Sequence, residues 1–82
     1  MHTVKVMLFA TLRDYVGSKS IEMQLPTGAT LAELINQLIK LYPSMEKVKD
    51  SMIVAINREY APLHLVIPEN CEVALFPPVS GG

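Results

Sequence analysis

The residues with a chemical use stand at the end of the chain. The sequence closes on Val79-Ser80-Gly81-Gly82, and two glycines ahead of a terminal carboxylate change what that group can do. Without Cβ atoms the backbone enters a slot that would exclude any branched residue. The carboxyl carbon is unhindered, so a nucleophile reaches it once an oxygen has been activated. As an ionised carboxylate, with a reference pKa of about 3.3–3.7, the group is a poor electrophile, because its charge repels nucleophiles and its oxygen leaves badly. Activation means an acyl-phosphate or acyl-adenylate made from ATP. No Gly-rich phosphate loop or nucleophile triad is present to make one, so a separate enzyme must bind the tail. Pro77 to Gly82, fully extended, reaches at most about 20 Å, which is enough to enter a buried active site while the folded body docks outside. The competing readings are a frayed terminus and a cloning scar, and the dipeptide alone does not separate them.

The other chemically capable side chains form no constellation. His2 and His64 have no second ligand at metal spacing and read as surface residues, so no metal site is expected, and no cofactor bound by this chain. Cys71, the one cysteine, has neither a basic neighbour nor a helix start to lower its thiol pKa and reads as a small turn residue. A single cysteine excludes an internal disulfide framework and points to a reducing compartment. With 82 residues, 50% hydrophobic and 18% charged, and a net charge of -1, the chain makes one domain with no electrostatic pull toward nucleic acid or anionic membrane. No run is long enough for a signal peptide or membrane span. A cytoplasmic location is the expectation.

The elements that must hold the tail follow from periodicity. Val4, Val6 and Leu8 alternate along a first strand. Ala10 to Val16 forms a short helical turn ending at Gly17, and Ile21 to Leu25 alternates as a half-buried second strand antiparallel to the first. Thr30 and Glu33 have capping-box spacing, and Leu31, Leu34, Ile35, Leu38 and Tyr42 give a helical apolar stripe that Pro43 stops. Ser44 to Asp50 suggests a second short helix. Met52 to Ile56 reads as an interior strand, and Tyr60 as the start of an edge strand that Pro62 cuts off. Glu72 to Phe76 is the last strand, and Pro77-Pro78 forbids further ladder bonds. The order gives an α+β domain of β-grasp type, with a mixed sheet, one main helix on one face, and first and last strands parallel neighbours. Residues 1-76 are the β-grasp domain and 77-82 a flexible, extended tail.

A sheet covered on one side should be polar on the other. The second strand obeys, with Glu22 and Gln24 outward. The first places Lys5, Met7 and Phe9 outward and the last Ala74 and Phe76, and Tyr60 can join the aromatics from the adjacent edge. An apolar patch beside a working terminus suggests partner docking. Aromatics covered by a loop, or scattered without meaning, fit the pattern equally well.

Phe76-Pro77-Pro78-Val79-Ser80-Gly81-Gly82 resembles the ending of the small-subunit, MoaD-type sulfur carriers of molybdopterin synthase, within the ubiquitin-like MoaD/ThiS superfamily. Val4 to Gly17 with its Phe9-Ala10-Thr11-Leu12-Arg13-Asp14, Pro26 to Leu34, and Val54 to Asn57 extend the resemblance over essentially the whole chain. It implies that an E1-like adenylyltransferase uses MgATP to adenylate Gly82 and that a sulfur donor protein converts the adenylate to a thiocarboxylate. Pro77, Pro78, Val79, Ser80, Gly81 and Gly82 then insert into the large subunit. There, sulfur passes to cyclic pyranopterin monophosphate, twice per molybdopterin, within a 2:2 heterotetramer. The carrier would supply sulfur and the large subunit the active site. Phe9, Tyr60 and Phe76 fall where the family has its hydrophobic docking surface, with Arg13 beside it. One departure is Pro68-Glu69-Asn70-Cys71 before the last strand, where the family has an Asp-Gly-Asp type turn; Asn70 tolerates the left-handed conformation. A thiamine thiazole sulfur carrier, a ubiquitin-like modifier conjugated through Gly82, and a binding module with an inert tail are the alternatives.

Overall fold

The computed structural model describes residues 2–69 and 71–77. The sheet is mixed, five-stranded and ordered β2-β1-β5-β3-β4, from β1 (His2–Leu8), β2 (Ser20–Leu25), β3 (Ile53–Ile56), β4 (Glu59–Tyr60) and β5 (Glu72–Phe76). The β1–β5 pair is parallel, and the β1–β2, β3–β4 and β3–β5 pairs are antiparallel. The first and last strands therefore lie together at the centre of the sheet, as the sequence order predicts. A parallel pair needs a crossover, and the chain makes it through α2 (Leu31–Leu41), whose apolar stripe covers one face.

Strand alternation supplies the other half of the core. Val4, Val6 and Leu8 of β1, Met23 and Leu25 of β2, Val54 and Ile56 of β3, and Val73 and Leu75 of β5 are all buried, facing Leu31, Leu34, Ile35 and Leu38 of α2. Each such side chain contributes about 1.5–3 kcal/mol by leaving water. The helix starts where expected. The Thr30 hydroxyl accepts from the Glu33 N–H at 3.3 Å, and the Glu33 carboxylate accepts from the Thr30 N–H at 3.3 Å. Tyr42 caps its far end, and Pro43 opens a 3-10 turn (Pro43–Val48) that drives Met45 into the core. Between β1 and β2, α1 (Thr11–Val16) ends at Gly17, whose φ of 83° is left-handed and whose N–H reaches the Arg13 carbonyl at 2.7 Å. Glycine is needed there because a Cβ disfavours that conformation.

Two features go beyond the sequence reading. The 61–67 segment carries no helix or strand of its own, yet it docks on the start of α2. Leu31 N–H donates to the Leu65 carbonyl at 3.1 Å, Ala32 N–H to the Leu63 carbonyl at 2.9 Å, and Ile67 N–H to the Ala29 carbonyl at 2.9 Å. Two N–H groups that a helix start leaves without partners are thereby satisfied. Cys71 is the second. Read as a small turn residue, it is a buried member of the core at the entrance to β5. Burial raises its thiol pKa against a smaller opposing backbone hydrogen bond, keeping it protonated and a weak nucleophile. Asn70, invoked for a left-handed turn, lies outside the described residues.

Candidate functional site: a groove at the root of the tail

The face of the sheet opposite α2 carries two cross-strand rows. The register puts Met7 of β1 beside Ala74 of β5, Ala74 beside Ala55 of β3, and Ala55 beside Tyr60 of β4. One step toward the C-terminal end of β5, Phe76 sits beside Ile53. Phe9 joins it there because its N–H extends the ladder by donating to the Leu75 carbonyl at 3.2 Å. The Phe9 and Phe76 rings stack with centroids 4.7 Å apart and planes 11° from parallel. Such a pair gains about 0.5–1.5 kcal/mol beyond the area it buries.

Side-chain size along the first row makes the surface concave. Two alanines lie between Met7 and Tyr60, so the middle of the row sinks while its ends stand up. The result is a groove of about 670 Å³ lined by Met7, Phe9, Ile53, Ala55, Tyr60 and Phe76, with Asn57, Arg58 and Glu72 at its polar end. Ala55, at its floor, is 4% exposed, whereas Tyr60 on its wall is 83% exposed and Phe9 36%. The aromatics are neither buried by a loop nor scattered. Among the described residues they form one apolar hollow, and it lies where β5 hands over to Pro77.

The polar end is shaped by a tight hairpin. Asn57 and Arg58 join β3 to β4 with φ of 49° and 73°, the double positive φ of a two-residue turn matched to strand twist. Beside it, Lys5 and Glu72 pair at 3.7 Å with both side chains half-exposed or more. The sequence reading missed Ile53, Ala55, Asn57 and Arg58. A signal existed: Ile53-Val54-Ala55-Ile56 is apolar at every position, so β3 offers an apolar surface to both sides of the sheet.

Phe9, Tyr60 and Phe76 thus line one groove. Arg13 does not line it; it sits on α1 at a shallow depression with Asp14, Gly17, Ser18 and Lys19. Phe9 is followed by Ala10 at φ 53° and ψ -130°, a sparsely populated conformation for a residue with a Cβ. That reversal ends β1 and starts α1 directly behind the Phe9 ring. Pro77 is half-buried, while Pro78, Val79, Ser80, Gly81 and Gly82 lie outside the described residues. His64 is exposed. No helix among the described residues is long and apolar enough to cross a membrane.

Comparison with known proteins bears on this arrangement. The sequence profile of the ThiS family matches residues 6–82. A molybdopterin synthase sulfur carrier subunit of Dictyostelium discoideum is 36% identical over 81 residues, covering 95% of this chain and 94% of that protein. The Arabidopsis thaliana protein of the same description is 33% identical over 79 residues, covering 96% and 82%. The crystal structure of SAMP1 from Haloferax volcanii superposes with a TM-score of 0.84 at 32% identity, covering 98% of this chain and 99% of that one.

Proposed function

The chain belongs to the ThiS family, and we propose that it is the sulfur carrier subunit of a molybdopterin synthase, acting in molybdenum cofactor biosynthesis. The observation that carries this reading is the apolar groove around the stacked Phe9 and Phe76 rings, open at the point where the last strand passes into Pro77 on its way to Gly82. The groove is the docking surface, and the six residues beyond β5 are the delivery arm. Likeness over nearly the full length of two proteins described as sulfur carrier subunits supports it.

An E1-like adenylyltransferase holds MgATP. A carboxylate oxygen of Gly82 attacks the α-phosphorus, pyrophosphate leaves, and an acyl-adenylate results. Sulfur supplied at the sulfide level by a donor protein attacks the acyl carbon and AMP departs, leaving one oxygen replaced by sulfur. The large subunit, in a 2:2 assembly, receives the body on the Phe9–Tyr60–Phe76 groove and draws Pro77 to Gly82 inward. There the thiocarboxylate sulfur attacks a carbon of cyclic pyranopterin monophosphate, and the oxygen substituent of that carbon leaves with the bonding pair and takes up a proton. Hydrolysis of the resulting thioester returns the Gly82 carboxylate, and a second carrier supplies the second sulfur. Arg13, outside the groove, is an outlying contact at most on this geometry.

Intact mass after co-expression with the activating enzyme and a sulfur source tests the proposal. The expected result is a gain equal to replacing one oxygen by sulfur, abolished by deletion of Gly82. An unchanged mass with active partners present sinks it. A second reading, a modifier conjugated through Gly82, is favoured by the likeness to SAMP1, a small archaeal modifier protein. It predicts covalent ladders on other proteins in the same experiment.

A further inference from the structure

We propose that Arg58 is an electrostatic anchor that fixes the orientation of this chain on its large subunit by pairing with an acidic side chain of that partner. The inference rests on the docking role of the groove. Arg58 lines the groove's polar end and is exposed. Among the described residues it has no ion-pair partner, the one salt bridge being Lys5–Glu72. That pair compensates Glu72, the groove's other charged residue. Asn57 is neutral, and Glu59 pairs with Ile56 on the helix side of the sheet, away from the hollow. One positive charge without an ion-pair partner among the described residues therefore stands at the polar end of the groove, and the complementary group on a partner is an anion.

Placement makes the charge useful. Asn57 N–H bonds to the Glu72 carbonyl, so the hairpin sits at the start of β5 while Phe76 lies at its end. Four residue steps along the strand separate the two, about 13 Å. The contact is thus clear of the path of the tail. An apolar anchor at one end and a charged one at the other define a direction, which two apolar contacts would not. The backbone argues against a purely structural role. At φ 73° a side chain is a liability and glycine the favoured residue in such a turn, so the hairpin itself gains nothing from arginine.

Association rates with the cognate large subunit, measured by biolayer interferometry at low and high salt, test this. Arg58→Gly is expected to leave the melting temperature unchanged or higher yet slow association severalfold. Arg58→Glu should slow it about tenfold or more at low salt, and Arg58→Lys should retain most of the wild-type rate. The differences should shrink in 0.5 M salt, where the Debye length is only about 4 Å. Wild-type rates for both Arg58→Gly and Arg58→Glu, or a loss that salt leaves unchanged, would overturn the anchor while leaving the docking groove standing. Failure of the wild-type chain to bind the large subunit would remove both.

Discussion

Leu75 and Phe76 are neighbours in β5, and they illustrate how the sheet divides its labour. Leu75 points to α2 and is fully buried; Phe76 points the other way, stacks on Phe9 and stays partly exposed. The same contrast runs through β1 and the residue after it, where Val6 and Leu8 are buried while Met7 is half-buried and Phe9 rises to 36% exposure. Apolar area on the helix side is already spent on folding. Apolar area on the groove side remains available for association. In a domain this small, folding leaves little stability in reserve, so leaving two phenylalanines and a tyrosine partly in water implies a use for them elsewhere.

The sharpest way to break this contrast is to exchange consequences between the two neighbours. Leu75→Ala removes a core side chain and is expected to cost about 2–5 kcal/mol of stability, read by urea denaturation. Phe76→Asp should cost less stability than Leu75→Ala, because the ring has a solvent-facing side. It should instead weaken binding to the large subunit by about 2 kcal/mol or more, as loss of a central aromatic anchor does. If Phe76→Asp unfolds the protein, or binds as well as wild type, the two faces do not divide folding from docking in the way their burial suggests.

Legibility in the sequence follows the same division. The helix side was readable because periodicity and burial share a cause: Val4, Val6 and Leu8 at period two and Leu31, Leu34 and Leu38 at helical spacing have nowhere to go but inward. The capping box was readable because it is local, three residues apart. The aromatic members of the groove were readable only in combination, once β1 and β5 were taken as parallel neighbours. Arg58 and the groove floor were not, since an all-apolar β3 hides which of its residues face outward. The docking of the 61–67 segment on α2 runs through the carbonyls of Leu63 and Leu65, and backbone acceptors leave no trace in residue type. The burial of Cys71 was not readable, because the sequence shows which turn it follows but not that the next strand begins inside the core.

A smaller effect isolates the cover itself. Thr30→Ala removes the hydroxyl that accepts from Glu33 N–H and should cost about 1 kcal/mol. Because α2 covers only the helix side, binding to the large subunit should stay at the wild-type value once the folded fraction is accounted for. A binding defect beyond that fraction would mean that the helix start communicates with the groove.

The smallest effect distinguishes the faces by pH. Cys71 is buried on the helix side and its thiol pKa is raised in the folded state, chiefly by desolvation. A raised folded value means that the folded state holds the proton more tightly than the unfolded chain. Stability from this group is therefore complete below the unfolded value, about 8.5, and falls as pH rises above it, because the unfolded chain then gains by releasing a proton that the folded state keeps. Cys71→Ala removes that decline. Stability curves of wild type and Cys71→Ala, recorded by urea denaturation under reducing conditions, should differ by a constant cavity cost below pH 8, and that difference should narrow as pH rises further. Other groups that titrate in this range act on both proteins and cancel in the difference. Parallel curves across the whole range would place the thiol in contact with water, and with it the edge of the core at the entrance to β5.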